Sequence, residues 1–160
     1  MKPAAERVQK ILQELGVDSE IIEFSESTKT SAEAAAAIGT TVAQIAKSIL
    51  FSAAEQPVMV IASGINRIDT AKVQSHVGAT LGKANAAFVR DHTGYVIGGV
   101  PPVGHAVKFA IFIDQDLLQY TEIWAAGGTP NTVFRLTPTD LVRITAGTVI
   151  DCKEEATAQS

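Results

Sequence analysis

The sequence has 160 residues, a length that suits one compact domain built around a single hydrophobic core. Hydrophobic residues make up 46% of the chain and charged residues 19%, which excludes an intrinsically disordered protein. The formal net charge is -4, whereas proteins that grip long tracts of nucleic acid usually present a basic face. Composition therefore argues against DNA binding and leaves open the capture of one nucleic-acid end by a few local cations.

The chain contains one cysteine, Cys152, which excludes an internal disulfide framework and a metal site built from cysteines. The first residues lead into an amphipathic, charged segment rather than the apolar run of a signal peptide. No apolar stretch approaches the roughly 18 residues that span a bilayer. These features predict a cytoplasmic protein with no membrane partner.

Hydrophobic spacing and turn residues predict helices and strands in the first half of the chain. Val8, Ile11 and Leu12 recur at helical spacing, and Thr30 followed by Glu33 has the spacing of a capping box. The predicted elements are a helix over 4–15, a strand over 21–24, a helix over 34–38 ended by Gly39, a short helix from Thr41, and strands over 49–51 and 58–61 that form a hairpin.

The second half of the chain continues this irregular mixture of helices and strands. The predicted elements are a helix capped by Asp69, a helix over 86–91, a loop over 94–105, strands over 109–113, 122–125 and 132–135, and a helical turn from Thr137. We expect one mixed α/β domain over residues 1–152 and a frayed polar tail over residues 153–160.

Common catalytic signatures are missing from the sequence. There is no Gly-x-Ser-x-Gly elbow, no Walker loop and no His-Glu-x-x-His motif. His76, His92 and His105 lie in separate segments without metal-ligand spacing, so we expect ordinary surface or loop histidines and no metal site. Cys152 lies beside the predicted tail, a poor place for a nucleophile that needs a rigid setting.

Lys47 stands where a short helix is predicted to give way to an apolar strand. A lysine that enters a buried strand is costly unless its ammonium reaches a cleft, a counter-charge or solvent. Lys47 is therefore either a surface lysine at a strand end or a functional cation.

The second notable feature is the Gly-Gly and Pro-Pro sequence over residues 98–102. Adjacent glycines let main-chain N–H groups approach a phosphate, a carbonyl oxygen or a water molecule closely. A tight turn with no ligand would have the same composition, so the loop sequence alone does not distinguish a ligand-binding loop from a structural turn.

Together and in this order, these features resemble the YbaK/EbsC family, which is similar to the editing domain of bacterial prolyl-tRNA synthetases. The resemblance covers residues 6–143. It rests on Ile45-Ala46-Lys47-Ser48-Ile49-Leu50-Phe51, on the segment over residues 94–104, and on Ala126-Gly127-Gly128 followed by residues 134–141. It implies a central mixed, mostly antiparallel sheet flanked by helices.

The resemblance also implies a trans-acting aminoacyl-tRNA deacylase that needs no metal or other cofactor. The expected substrate is the acceptor end of tRNA(Pro) carrying a small amino acid such as alanine or cysteine, with prolyl-tRNA synthetase as a further partner. The implied site residues are Lys47, Gly98, Gly99 and Val100 as the catalytic set, with Ile49, Pro101, Pro102, Ala126, Gly127 and Gly128 as substrate-binding residues.

The sequence departs from the family pattern at the expected amino-acid pocket. Cysteine-specific members tend to carry a serine at the position of Ala126 and an acidic residue near Val133, and both positions are apolar here. Some alanine-specific relatives carry a histidine in the stretch corresponding to residues 127–132, where this chain has none. Two other functions stay open at this stage: a non-catalytic module that binds aminoacyl-tRNA or a synthetase, and a hydrolase of another small ester or amide.

Overall fold

The computed structural model describes residues 1–155, which form five α-helices and one eight-stranded sheet. The helices α1–α5 are Pro3–Glu14, Ser31–Ile38, Thr70–Val77, Ala86–Thr93 and Pro138–Thr145. The strands β1–β8 are Ile22–Glu23, Ile45–Ala53, Gln56–Ser63, Leu81–Lys83, Ala110–Asp114, Ile123–Ala126, Thr132–Leu136 and Thr148–Ile150. Short 3₁₀ turns cover Val42–Gln44 and Gln115–Gln119.

Side-chain caps fix the starts of the short helices. Thr30 Oγ1 accepts a hydrogen bond from the main-chain N–H of Glu33 at 3.1 Å, and the Glu33 carboxylate accepts from the N–H of Thr30 at 3.2 Å. This is the predicted capping box of α2, and Gly39 ends that helix with a φ of 85°. Asp69 caps α3 in the same way by accepting from the N–H of Ala71 at 3.0 Å.

The sheet is mixed, with four antiparallel and three parallel pairings among the described strands. The strand order is β1-β7-β6-β2-β3-β5-β8, and the short β4 also pairs with β2. The hairpin of β2 and β3 forms its centre and pairs from Ala46↔Ser63 to Ala53↔Gln56. The structure thus confirms the expected mixed, mostly antiparallel sheet flanked by helices.

Helices pack on both faces of this sheet. Val8, Leu12, Val89 and Leu141 join α1, α4 and α5 to the larger hydrophobic cluster on one face. On the other face, α3 packs through Val73, and α2 packs against Ile45 and Trp124 through small alanine side chains. Both faces of the central strands are therefore covered, which explains why β3 is an almost continuous apolar run.

The structure differs from the sequence-based expectation at two short strands and at the start of the tail. β4 and β8 were not predicted, because three residues carry too little periodic signal. Residues 153–155 are not frayed: Lys153 pairs with Ile68 in a β-bridge, and the main-chain N–H of Glu154 donates to the carbonyl of Arg67 at 2.8 Å. The rest of the expected tail, residues 156–160, lies outside the described residues.

None of the helices within residues 1–155 has the length and apolar character to cross a bilayer. In the same part of the chain, no group of three or more histidine, cysteine or acidic side chains is arranged to hold a metal ion.

Candidate active site

A cleft opens where two neighbouring strands of the sheet diverge. β2 pairs with β6 only at Ile45↔Trp124 and Ala46↔Ala125, and it pairs with β4 only from Phe51 onward. Within the described residues, the segment between these pairings has a strand partner on its β3 side alone. A cavity of about 690 Å³ lies at this gap.

Segments distant in sequence line this cavity. β2 contributes Ile45 to Ile49, β6 contributes Trp124 to Ala126, and β7 contributes Val133. The segment before α2 supplies residues 28–30, and α2 itself supplies Ser31 and Ala34. The loop before β5 supplies Ile97, Gly98 and Val100, and Gly64 follows β3. Five of the ten predicted site residues therefore meet here: Lys47, Ile49, Gly98, Val100 and Ala126.

Lys47 is the third residue of β2, which begins at Ile45, whereas the sequence predicted a strand over 49–51 with Lys47 before it. Its side chain is half-buried in the cavity wall, and no carboxylate oxygen within residues 1–155 lies within 4.0 Å of its ammonium nitrogen. Burial lowers the pKa of Lys47, the nearby Arg67 guanidinium lowers it further, and the Asp114 carboxylate opposes both effects. Lys47 is therefore a poorly compensated cation that faces a cavity.

Asp114 is not within salt-bridge distance of Lys47, and its carboxylate accepts three hydrogen bonds from other groups. It is 1% exposed and accepts from the main-chain N–H of Ser63 at 3.0 Å and from that of Asp116 at 2.9 Å. Asn66 Nδ2 donates to Asp114 at 2.8 Å and to Asp116 at 2.9 Å. This network fixes the segment after β3 that carries Gly64 into the cavity wall.

The predicted glycine loop forms one wall of the cavity. Gly98 has a φ of 90°, and a Cβ there would lie 2.7 Å from the Cβ of Lys29. A Cβ on Gly99 would lie 2.7 Å from the carbonyl carbon of Thr129, so Gly99 rests on main chain rather than lining the cavity. These close approaches explain why two successive glycines are needed.

The two prolines lie on the side of this loop that faces away from the cavity. Pro101 and Pro102 are buried outside the lining of the cavity, and Pro102 borders a separate groove on the molecule. His105 Nε2 lies 2.7 Å from the carbonyl oxygen of Pro101, and its ring packs on Phe109 with a centroid distance of 4.8 Å. Burial lowers the pKa of His105, while the hydrogen bond to Pro101 opposes that shift. His105 is thus a structural support of the loop.

The turn after β6 places Ala126 at the cavity and keeps the next two glycines away from it. The N–H of Gly127 donates to the carbonyl of Thr132 at 2.9 Å, and a Cβ on Gly128 would lie 2.9 Å from the carbonyl oxygen of Ala4. Gly127 and Gly128 therefore shape a tight turn packed on α1.

Sequence reasoning missed several lining residues. The start of α2 was predicted correctly through the Thr30 capping box, but nothing local indicated that Thr30 and Ser31 would lie across from β2. The sequence predicts only that Trp124 belongs to a strand, and its Nε1 is buried without a hydrogen-bond partner among the described residues. The sequence feature that could have drawn attention to Trp124 is that it is the single tryptophan of the chain.

With this geometry in place, comparison with known proteins identifies the family. The family model described as the aminoacyl-tRNA editing domain matches residues 25–144, most of the chain. The chain belongs to the aminoacyl-tRNA editing domain family. This confirms the resemblance inferred from the sequence, and it supports a deacylating, hydrolytic role on aminoacyl-tRNA.

Individual relatives agree with this family. A candidate trans-editing enzyme for prolyl-tRNA synthetase has a solved structure that matches with a TM-score of 0.92 and 44% identity, over 97% of this chain and 99% of that one. The hypothetical protein APE2540 matches with a TM-score of 0.86 and 28% identity, over 92% of this chain and 99% of that one. The uncharacterized protein YwhH of Bacillus subtilis (strain 168) is 31% identical over 125 residues, which is 78% of this chain and 80% of YwhH.

Proposed function

We propose that the protein acts in trans to hydrolyse the ester that links a small, wrongly attached amino acid, such as alanine or cysteine, to tRNA(Pro). The observation that carries this proposal is the half-buried Lys47 ammonium, which faces a cavity of about 690 Å³ without a close carboxylate partner. An uncompensated cation in a cavity is costly for folding and useful for binding an electron-rich group.

In the proposed reaction, Lys47 stabilises negative charge as it develops on the ester carbonyl, or holds the phosphate of the terminal adenosine. The loop over residues 98–100 positions the ester and the attacking group, which is a water molecule activated by the substrate's own 2′-hydroxyl or by the loop. An aminoacyl ester is an activated bond, so we propose that no bound metal and no protein nucleophile take part.

Selection among the amino acids attached to the tRNA would come from the cavity walls around Lys47. Ile49, Trp124 and Val133 are apolar, and Ala126 lies opposite Val133 in the pairing of β6 with β7. Such a wall suits a small apolar or weakly polar side chain and rejects larger ones by size, while each missing methylene changes affinity by only about 1–3 kcal/mol. Selectivity against smaller side chains is therefore expected to be modest.

The proposed partners are the acceptor end of mischarged tRNA and prolyl-tRNA synthetase. The relative described as a candidate trans-editing enzyme for that synthetase supports this choice. The net charge of -4 supports a narrow contact with the acceptor end rather than a broad tRNA interface.

The test is a deacylation time course on tRNA(Pro) charged separately with alanine, cysteine, serine, 2-aminobutyrate and proline, each with and without a chelator. Release of one or more small non-cognate amino acids, retention of proline and no effect of the chelator would support the proposal. Binding of charged tRNA without release would instead indicate a non-catalytic module. Loss of activity in the chelator would overturn the metal-free reaction.

A further inference from the structure

The charge lining the proposed site is of one sign. Among the described residues, the charged side chains that line the cavity are Lys29 and Lys47, and no carboxylate lines it. Arg67 adds a third cation, close enough to Lys47 to lower its pKa, although the Arg67 side chain is 88% exposed and its Nε lies 3.8 Å from the carboxylate of Glu154. The cavity lining therefore offers a cationic ligand no carboxylate.

The start of α2 also borders the cavity. Thr30 and Ser31 line the cavity at the N-terminus of the helix, where unpaired N–H groups carry partial positive charge. Glu33 lies in the first turn, outside the cavity lining, and its carboxylate accepts hydrogen bonds from Thr30 N and Thr30 Oγ1 at 3.2 and 3.0 Å, so it offsets part of this positive charge. The other nearby carboxylate, Asp114, is buried outside the lining, and it raises the pKa of Lys47 by less than burial or Arg67 lowers it.

A cavity lined by cations is electrostatically unfavourable for an ordinary aminoacyl ester. The α-amino group sits one carbon from the ester carbonyl, and such groups titrate at about 7.7–8.0, so most are cationic at neutral pH. If the carbonyl lies beside Lys47, the α-ammonium lies beside a half-buried cation as well. Two like charges at short range in a partly desolvated site favour loss of one proton.

We propose that the site reacts with acyl esters whose α-substituent is uncharged, and that it therefore also hydrolyses 2-hydroxyacyl-tRNA and N-acylated small aminoacyl-tRNA. This inference rests on the proposed deacylase function and names the substrate form of the same site. In the reaction, water adds to the ester carbonyl, the bond to the ribose oxygen breaks, and a proton from the water passes to that oxygen. The products are free tRNA and a 2-hydroxy acid or an N-acyl amino acid.

The decisive comparison is L-lactyl-tRNA(Pro) against L-alanyl-tRNA(Pro), because a hydroxyl replaces the ammonium with almost no change in size. Each rate is divided by the uncatalysed rate of the same ester at the same pH, since the α-ammonium activates its own ester. At pH 6 we expect the acceleration of the lactyl ester to equal or exceed that of the alanyl ester. Between pH 6 and pH 7 the alanyl acceleration should rise about tenfold relative to the lactyl one, as the neutral amine becomes more abundant.

A lactyl acceleration below one-tenth of the alanyl value at pH 6 would overturn the inference, because it would show that the site recognises the ammonium. Acceleration of neither ester would instead contradict the deacylase function on which the inference rests. N-acetylalanyl-tRNA extends the comparison to a bulkier neutral substituent, and its size makes it the secondary probe.

A matched pair of variants tests whether the charge of the cavity sets the preference between the lactyl and alanyl esters. Ser31→Asp places a carboxylate at the cavity in the first turn of α2, where acidic residues are well tolerated, while Ser31→Asn changes size without charge. We expect Ser31→Asp to shift preference toward the alanyl ester at pH 6 by about tenfold or more, and Ser31→Asn to leave it unchanged. Equal preference in the two variants would contradict the electrostatic explanation.

Discussion

Gly99 rests directly on the main chain of Thr129, since a Cβ added to Gly99 would stand 2.7 Å from the carbonyl carbon of Thr129. The loop that carries Gly98 and Val100 into the cavity is thereby held against the turn that follows β6. The loop and the turn that form two walls of the proposed site thus pack directly against each other. The distance between these walls depends on Gly99, where there is no room for a side chain.

Gly99→Ala should therefore reduce both stability and activity. Overpacking of this kind costs about 1–3 kcal/mol, and displacement of a positioning loop by about 1 Å can cost roughly 100-fold in rate. Urea unfolding and single-turnover deacylation measure the two effects. Gly78→Ala is the matched control, because Gly78 has a φ of 77° with nothing within 4 Å of an added Cβ. It should lower stability by about 1–2 kcal/mol and leave the rate intact; an equal loss of rate in both variants would rule out a specific role for the loop.

Asn66→Ala should destabilise the protein by about 1–3 kcal/mol, because it removes a donor from the buried carboxylate of Asp114. It should also slow deacylation, since the same network fixes the segment that carries Gly64 into the cavity wall. Gln119→Ala serves as control: among the described residues, its exposed amide donates only to the carbonyl of Asp116. Unchanged stability in Asn66→Ala would show that the network contributes little.

The fold should lose stability in mild acid through His105. Its pKa in the folded protein lies below the ordinary value of 6.5, because burial disfavours the charged ring. The stabilisation from keeping the ring neutral is present above pH 6.5 and is lost as the pH falls toward the lowered folded pKa. His105→Gln keeps a side-chain donor for the carbonyl of Pro101 without titrating in this range. The free energy of unfolding should thus fall less between pH 7.5 and 5.5 in the variant than in the wild type, and parallel losses would contradict this account.

Cys152 should be inert in the folded protein and dispensable for hydrolysis. It is 1% exposed, and burial together with the nearby Asp114, Asp151 and Asp116 carboxylates raises the pKa of its thiol to about 12. At pH 8 it is therefore a protonated thiol shielded from solvent. Iodoacetamide should label it slowly in buffer and rapidly in urea, and Cys152→Ala should retain the wild-type deacylation rate. Rapid labelling of the folded protein with loss of activity would reinstate a cysteine nucleophile.

Local signals in the sequence predicted the helices well. The Thr30 capping box and the Asp69 cap each specify a helix start through contacts within four residues, and the glycines at positions 39, 78 and 94 end their helices with positive φ. Local information suffices here because each cap is satisfied by its own neighbours.

The features that the sequence did not predict depend on packing between segments distant along the chain. β4 exists because Leu81 to Lys83 find the free edge of β2, and the gap between β4 and β6 appears only once both strands are placed. Lys47 and Gly98 could be singled out by residue type and spacing. In contrast, Ser31 and Trp124 reach the cavity through tertiary packing that no short segment encodes.

The central claim is that Lys47 serves catalysis rather than folding, and Lys47→Met tests it most directly. Methionine keeps an unbranched side chain one atom shorter and removes the half-buried charge, which has no close ion pair among the described residues. Single-turnover deacylation of mischarged tRNA(Pro) should slow by roughly 100- to 1000-fold, while the free energy of unfolding stays equal or rises. Lys10→Ala, which removes an exposed lysine on α1, should change neither quantity appreciably. A Lys47→Met protein that deacylates at a rate near the wild type would contradict the account.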